Sequence, residues 1–231
     1  MAITINTPDG EFTAYVAEPA GSGPGPAILV IQEIYGVNAV MREVCDRYAA
    51  LGYLAVCPDL FWRIEPGLDL TDQTAEGNKR AFELFGLFDV DKGIDDIAAT
   101  LAAIRADPRC SGKVGAVGYC LGGLLAYLTA TRTDIDAAVG YYGVSIDTRL
   151  DEAEKLHAPL MLHVAEEDGF VDKAAQSRIV EGLKNHPNVT IYSYPGRGHA
   201  FARRGGDHYD AADAGLANGR TEAFFEGALK S

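Results

Sequence analysis

Lys113-Val114-Gly115-Ala116-Val117-Gly118-Tyr119-Cys120-Leu121-Gly122-Gly123 sets a cysteine at the centre of Gly118-x-Cys120-x-Gly122, between an apolar strand-like run and the helical pattern Leu124–Leu128. This is the G-x-S-x-G strand–turn–helix pattern with sulfur in place of the hydroxyl. The turn is so sharp that side chains at positions 118 and 122 would collide with the neighbouring strand and helix, while the central one projects alone. The same geometry puts Cys120 at a helix N-terminus, where free amides and the positive dipole end favour thiolate over thiol. An ordinary cysteine of pKa ~8.5 is only about 3% thiolate at pH 7, so each unit of depression raises the rate of attack. The bland alternative is a small buried side chain that merely packs, which is how Cys45, Cys57 and Cys110 read.

A nucleophile on this pattern needs an acid and then a histidine, in that order, on loops after later strands. Leu160–Ala165 reads as a strand and is followed by Glu166-Glu167-Asp168-Gly169-Phe170. Asp168, before a glycine turn, is the favoured acid, with Glu166 and Glu167 as alternatives. The next strand, Val189–Tyr194, runs into Pro195-Gly196-Arg197-Gly198-His199-Ala200-Phe201, which places His199 where a general base belongs. His157, His186 and His208 lie in polar surface contexts, and His163, inside a strand, reads as a hydrogen-bonded core residue. His199 would take the Cys120 proton or stabilise the thiolate as imidazolium, and Asp168 would fix the ring tautomer. An oxyanion hole of this class combines the amide after the nucleophile, Leu121, with one from the loop after an earlier central strand. The stretch Gln32-Glu33-Ile34-Tyr35-Gly36 offers the amide of Ile34 for the second role.

These residues need a scaffold. Ile3–Asn6 and Phe12–Glu18 flank Pro8-Asp9-Gly10, so a β-hairpin is expected to open the chain. Gly21-Ser22-Gly23-Pro24-Gly25-Pro26 reads as a loop that no central strand could contain. Ala27–Ile31, Leu54–Cys57, Lys113–Val117, Ala137–Tyr141, Leu160–Val164 and Val189–Tyr194 are candidate buried strands. Met41–Leu51, Ile94–Ile104, Leu121–Thr131 and Ala174–Leu183 are helical patterns between them, and Tyr209–Lys230 is a helical tail. Strands alternating with helices predict an α/β fold with a mostly parallel sheet and helices on both faces. With 231 residues, one domain spanning 1–231 is expected. Ligands of such sheets sit beyond the carboxyl ends of the strands, where the loops above lie.

Composition sets further bounds. A hydrophobic fraction of 48% with 23% charged residues is that of an ordinary globular chain. No apolar run approaches the ~20 residues of a membrane helix, and no secretory signal is visible at the start. Four cysteines without a CxxC pair suit a reducing cytoplasm. The net charge of −13 disfavours nucleic acid and anionic membranes as partners. No histidine–carboxylate cluster has metal spacing, so neither metal nor cofactor is expected.

With these residues in place, the chain from about Ile3 to Leu229 resembles the dienelactone hydrolases (carboxymethylenebutenolidases), a cysteine-dependent branch of the α/β-hydrolase fold. The resemblance is carried by Gln32-Glu33-Ile34-Tyr35-Gly36, Pro58-Asp59-Leu60-Phe61, Gly115–Gly123 with Cys120, Gly140-Tyr141-Tyr142-Gly143 and Tyr194-Pro195 through His199-Ala200-Phe201. It implies a triad of Cys120, Asp168 and His199, and a carboxylate, Glu33, that helps activate the thiol. It further implies that Arg203 contacts that glutamate and the substrate carboxylate, and that Tyr142, Phe82 and Phe85 line the pocket. The chain departs from the family where a second arginine binds the substrate carboxylate. Asn78 stands there, with Lys79 and Arg80 beside it, and an asparagine has no charged bidentate fork.

Sulfur narrows the substrate independently of the family. A tetrahedral intermediate on Cys120 can expel either the thiolate, of conjugate pKa ~8.5, or the alcohol oxygen, near ~15.7 for a simple alkoxide. Alkyl esters should mostly revert, whereas enol or phenol esters, with leaving groups near ~10, go forward. The expected function is hydrolysis of an activated ester or enol lactone, of the dienelactone-to-maleylacetate type found in aromatic degradation, through a cysteinyl thioester. A monomeric cytoplasmic enzyme with a small-molecule substrate is expected. The alternatives are an esterase or thioesterase for a neutral activated ester and, further off, a non-catalytic thiol sensor.

Overall fold

In a computed structural model, residues 1–19, 21 and 23–230 are described. Among the described residues eight strands form one mostly parallel sheet, flanked by helices, in the order β1-β2-β4-β3-β5-β6-β7-β8. The chain divides into two compact units, Met1–Ala116 and Val117–Ser231, with β5 (Cys110–Tyr119) running through the division.

In the first unit, the Pro8-Asp9 turn folds β1 (Ala2–Thr7) antiparallel onto β2 (Gly10–Ala17), with Ile5 opposite Phe12. β2 pairs antiparallel with β4 (Leu54–Pro58), which pairs in parallel with β3 (Gly25–Ile31). Ala27 through Ile31 are fully buried, as a strand covered on both faces requires. β3 begins at Gly25, so Gly25 and Pro26 belong to a strand and not to the expected loop; Ser22 of that loop lies outside the described residues. The first positions of a strand tolerate proline, which has no N–H to give, and the Gly25 N–H is satisfied by Arg109 O at 3.0 Å. α1 (Ala39–Ala50) is capped by Asn38, whose side chain accepts from Met41 N at 3.1 Å. α3 (Val90–Ala106) buries Ile94, Ile97, Leu101 and Ile104 at helical spacing.

One helix of this unit, α2 (Ala75–Leu87), falls where the sequence shows no clear helical pattern. Its buried stripe is only Gly77, Ala81 and Leu84, too narrow and too glycine-weakened to stand out in sequence. Thr74 starts it, accepting from Gly77 N at 3.0 Å.

In the second unit, the end of β5 leads into α4 (Leu121–Arg132), nearly all of whose residues are buried. β6 (Ala137–Tyr141), β7 (Leu160–Ala165) and β8 (Val189–Tyr194) pair in parallel, as strands joined by long crossovers do. A 3₁₀ segment, Ile146–Lys155, precedes β7, and α5 (Lys173–Leu183) links β7 to β8. The tail is a helix, α6 (Ala211–Leu229), which packs on β6. Among the described residues no helix is long and apolar enough to cross a membrane.

Candidate active site

At the end of β5 the chain turns into α4 within one residue, and that residue is Cys120, at φ +57° and ψ −115°. A left-handed φ at a residue with a Cβ costs about 1–3 kcal/mol and persists only where the surroundings enforce it. Here they do. The Cys120 N–H donates to Tyr141 O at 3.1 Å, and Cys120 O accepts from Gly123 N at 3.0 Å and Val144 N at 3.3 Å. Glycine at 118 is obligatory, because a Cβ there would lie 1.8 Å from Gly122 O. Among the described residues four non-glycines have positive φ: Cys120, Tyr142, Ser145 and Ala200. All four belong to the second unit, and all but Ser145 are, or adjoin, the residues described next.

Asp168 and His199 arrive on the loops after β7 and β8. The two loops are stitched together by Glu167 N donating to Arg197 O at 2.8 Å. Gln176, buried on α5, donates from Nε2 to Glu166 O at 3.2 Å and Val171 O at 2.6 Å, and so brackets the Asp168 loop from both sides. Asp168 Oδ1 accepts from Phe170 N at 2.8 Å, which leaves Oδ2 for His199 Nδ1 at 2.8 Å. His199 also hydrogen-bonds Cys120. Burial pulls the His199 imidazole down, but the charge on Cys120 and the hydrogen bonds to Asp168 and Cys120 outweigh it and push the ring up to about 10. Two aromatic edges hold the ring, Tyr142 at 5.1 Å between centroids and Phe170 at 4.8 Å. A buried, charged imidazole locked between a carboxylate and a thiol can stabilise a thiolate and later exchange a proton at the same place.

Neither alternative acid makes this contact. Glu167 is exposed and pairs with Lys173 at 3.0 Å, while Glu166 holds Lys173 and Gln176 through its backbone carbonyl. His163 is a core residue, with Nδ1 2.8 Å from Tyr194 Oη and Nε2 2.9 Å from Thr221 Oγ1. Leu121 opens α4, so its amide is a first-turn donor without an acceptor four residues back. Tyr142 is buried, and Arg203, half-buried, sits in the turn after His199 with its N–H on Ala200 O at 2.9 Å.

The remaining candidates belong to the first unit. Glu33 and Ile34 are buried in the loop after β3. Gln32 anchors that loop by accepting from Leu60 N at 3.0 Å, and Gly36, at φ +76°, lets it pass Leu68, whose carbonyl oxygen would lie 2.3 Å from a Cβ. Phe82 and Phe85 are both more than one-third exposed on α2. Asn78 is occupied at both ends, accepting from Tyr35 Oη at 2.7 Å and donating to Asp72 O at 2.8 Å. An arginine could not accept the Tyr35 hydrogen bond, so the asparagine has a structural role at this position. Arg80 is paired with Glu65 at 2.6 Å and Glu83 at 3.1 Å, and Lys79 stays exposed.

Two contacts at the site escape a reading of the sequence. Phe170 could have been suspected from its place two residues after Asp168. His208, whose Nδ1 lies 3.0 Å from His199 O, carries no signal in its polar surroundings. Among the described residues no three His, Cys, Asp or Glu side chains converge as metal ligands.

The model described as Dienelactone hydrolase family matches residues 12–229. A chain from Azospirillum brasilense is 50% identical over 221 residues, 94% of each chain. The carboxymethylenebutenolidase of Pseudomonas putida is 41% identical over 219 residues, 94% of this chain and 92% of that one. The crystal structure of dienelactone hydrolase from Anabaena variabilis superposes with a TM-score of 0.72 at 18% identity, over 99% of this chain and 97% of that one. At that identity the likeness speaks for the fold.

Proposed function

Because this chain belongs to the dienelactone hydrolase family and is thereby a hydrolase of ester or lactone bonds, we propose that it opens an activated ester or enol lactone through a Cys120–His199–Asp168 triad. The observation that supports this most is the series itself. Asp168 Oδ2 stands 2.8 Å from His199 Nδ1, and the same ring hydrogen-bonds Cys120, which stands at φ +57°.

The Cys120 thiolate attacks the carbonyl carbon, forming a C–S bond as the carbonyl pair moves onto oxygen. The amides of Leu121 and Ile34 receive that oxyanion; one such donor is typically worth about 10²–10³ in turnover. Collapse re-forms the carbonyl and breaks the bond to the enol oxygen, which takes the imidazolium proton of His199. The thioester removes the Cys120 charge, the main influence raising His199, so the ring is now neutral and fit to act as a base. It takes a proton from water as the hydroxide adds to the thioester carbonyl. The C–S bond then breaks, the thiolate returns opposite the imidazolium, and the carboxylic acid loses its proton to solvent. Water is consumed once, and an acid and an enol are released; from a lactone both groups are on one molecule. From the resemblance, Glu33 assists ionisation of the thiol, Arg203 meets the substrate carboxylate, and Tyr142, Phe82 and Phe85 line the pocket. As parts of the same proposal, the whole chain acts as one catalytic domain, as a monomer, in the cytoplasm.

The occupied Asn78 amide and the paired Arg80 favour a second reading, in which the preferred ester is neutral. One assay serves both. Rates on 4-carboxymethylenebutenolide and on a neutral aryl acetate are measured for the wild type and Cys120→Ala. Loss of about 10⁴-fold in the variant on both substrates supports the triad, and the wild-type rate ratio selects between the anionic and the neutral ester. A variant as active as the wild type overturns the mechanism.

A further inference from the structure

The loop that carries His199 folds back on itself, and a second histidine closes it. His208 Nδ1 lies 3.0 Å from the backbone carbonyl oxygen of His199. A carbonyl oxygen only accepts, so this ring nitrogen is the donor. Gly198 makes room for the ring, since a Cβ there would come within 3.3 Å of His208 Cγ and Nδ1.

The peptide group that receives this hydrogen bond joins His199 to Ala200, and Ala200 stands at φ +63°. An alanine disfavours that region, and a hydrogen bond of ordinary strength is of the size needed to offset the cost. Rotation of the 199–200 peptide would relieve Ala200 by changing its φ together with the ψ of His199, the residue that carries the imidazole. Other closures hold the next points of the loop, beginning with Arg203 N, which donates to Ala200 O at 2.9 Å, one peptide further on. Asp210 N donates to Phe201 O at 3.0 Å, and Arg197 pairs with Asp210 and, at 2.9 Å, with Asp213.

We infer that His208 is a positioning residue for hydrolysis: by donating to the His199 carbonyl it holds the 199–200 peptide in the left-handed turn that aims the imidazole between Asp168 and Cys120. His208 touches no reacting atom and acts through His199 alone. The inference rests on the proposed role of His199, and its test therefore includes a measurement that needs no ester.

Three variants are compared with the wild type. His208→Ala removes the donor. His208→Asn keeps an N–H near the place of Nδ1. His208→Asp matches asparagine in size but offers only acceptors. Each is measured for kcat and KM on 4-carboxymethylenebutenolide, for the rate of Cys120 alkylation by iodoacetamide at pH 7, and for Tm. The alanine and aspartate variants are expected to lose about 5- to 100-fold in kcat and to show slower alkylation. KM should change less than about threefold, and Tm should stay within a few degrees of the wild type, as for other surface substitutions. The asparagine variant should return to within about threefold of the wild-type kcat, the residue expected for an imperfectly placed donor. Should the alanine variant fail to fold, the asparagine–aspartate pair carries the same contrast. The inference is overturned if His208→Ala matches the wild type, if His208→Asn is as impaired as His208→Asp, or if only KM changes. A wild type inert toward every ester would instead defeat the proposed function, while the alkylation series would still report whether His208 positions His199.

Discussion

His199 is perturbed, and its perturbation depends on Cys120. Burial would keep the imidazole neutral, yet the Cys120 charge, with the two hydrogen bonds, carries it up to about 10. The sign of the consequence follows from linkage. A histidine raised in the folded state contributes stability that is fully present below about 6.5 and is lost as pH rises through about 10. On the proposed mechanism the same dependence would let one ring serve as acid and then base, because acylation would delete the charge that holds the proton. Replacing Cys120 by alanine should therefore drop the His199 pKa well below about 10, read by NMR titration of its ring signals. A titration unchanged from the wild type would mean that Asp168 alone sets the ring, and the role switch would lose its physical basis.

The elbow is a problem of packing between α4 and β6. A Cβ on Gly123 would lie 2.7 Å from both Gly143 Cα and Tyr141 O, and one on Gly143 would lie 2.9 Å from Gly123 C. These obstacles are backbone atoms, which cannot swing aside as a side chain can. Gly123→Ala is expected to cost about 1–3 kcal/mol in urea denaturation. Because Gly123 N also donates to Cys120 O at 3.0 Å, kcat should fall as well, by roughly 10- to 100-fold. Gly215→Ala, in α6 with nothing within 4 Å of the added carbon, is the control; it should stabilise by about 0.5–1 kcal/mol and leave turnover alone. Equal effects at the two positions would refute the packing account.

Across the molecule, stability at acid pH falls to a group the chemistry does not use. His163 is buried against Tyr194, Thr221 and Tyr141, joining β6, β7, β8 and α6 through hydrogen bonds and ring contacts. Burial first, and Arg220 second, pull its pKa to about 3, so it is neutral in the fold. The unfolded chain gains a proton there below about 6.5, so the stabilising contribution present above that pH is lost as pH falls. The loss amounts to ~2 kcal/mol by pH 5. Urea midpoints should fall between pH 7 and pH 5 in the wild type, and the fall should be shallower in His163→Gln. Parallel pH profiles for the two proteins would assign the acid limb to other groups.

Much of the architecture was readable in the chain because it is written over short distances. Alternation of buried strands with helical stripes set the α/β class. The strand–turn–helix at Cys120 was visible because the glycine at 118 answers a steric demand of its immediate neighbours. The early start of β3 and the whole of α2 are not legible, since neither a proline with a satisfied neighbour nor a three-residue buried stripe has a distinctive local pattern. The use made of Asn78 lay beyond the sequence, for its partner Tyr35 is 43 positions away. His208, nine positions from the carbonyl it holds, was equally hidden. Periodicity and backbone sterics are properties of neighbours along the chain, whereas a hydrogen-bond partner is chosen by which distant segments meet when the chain has folded.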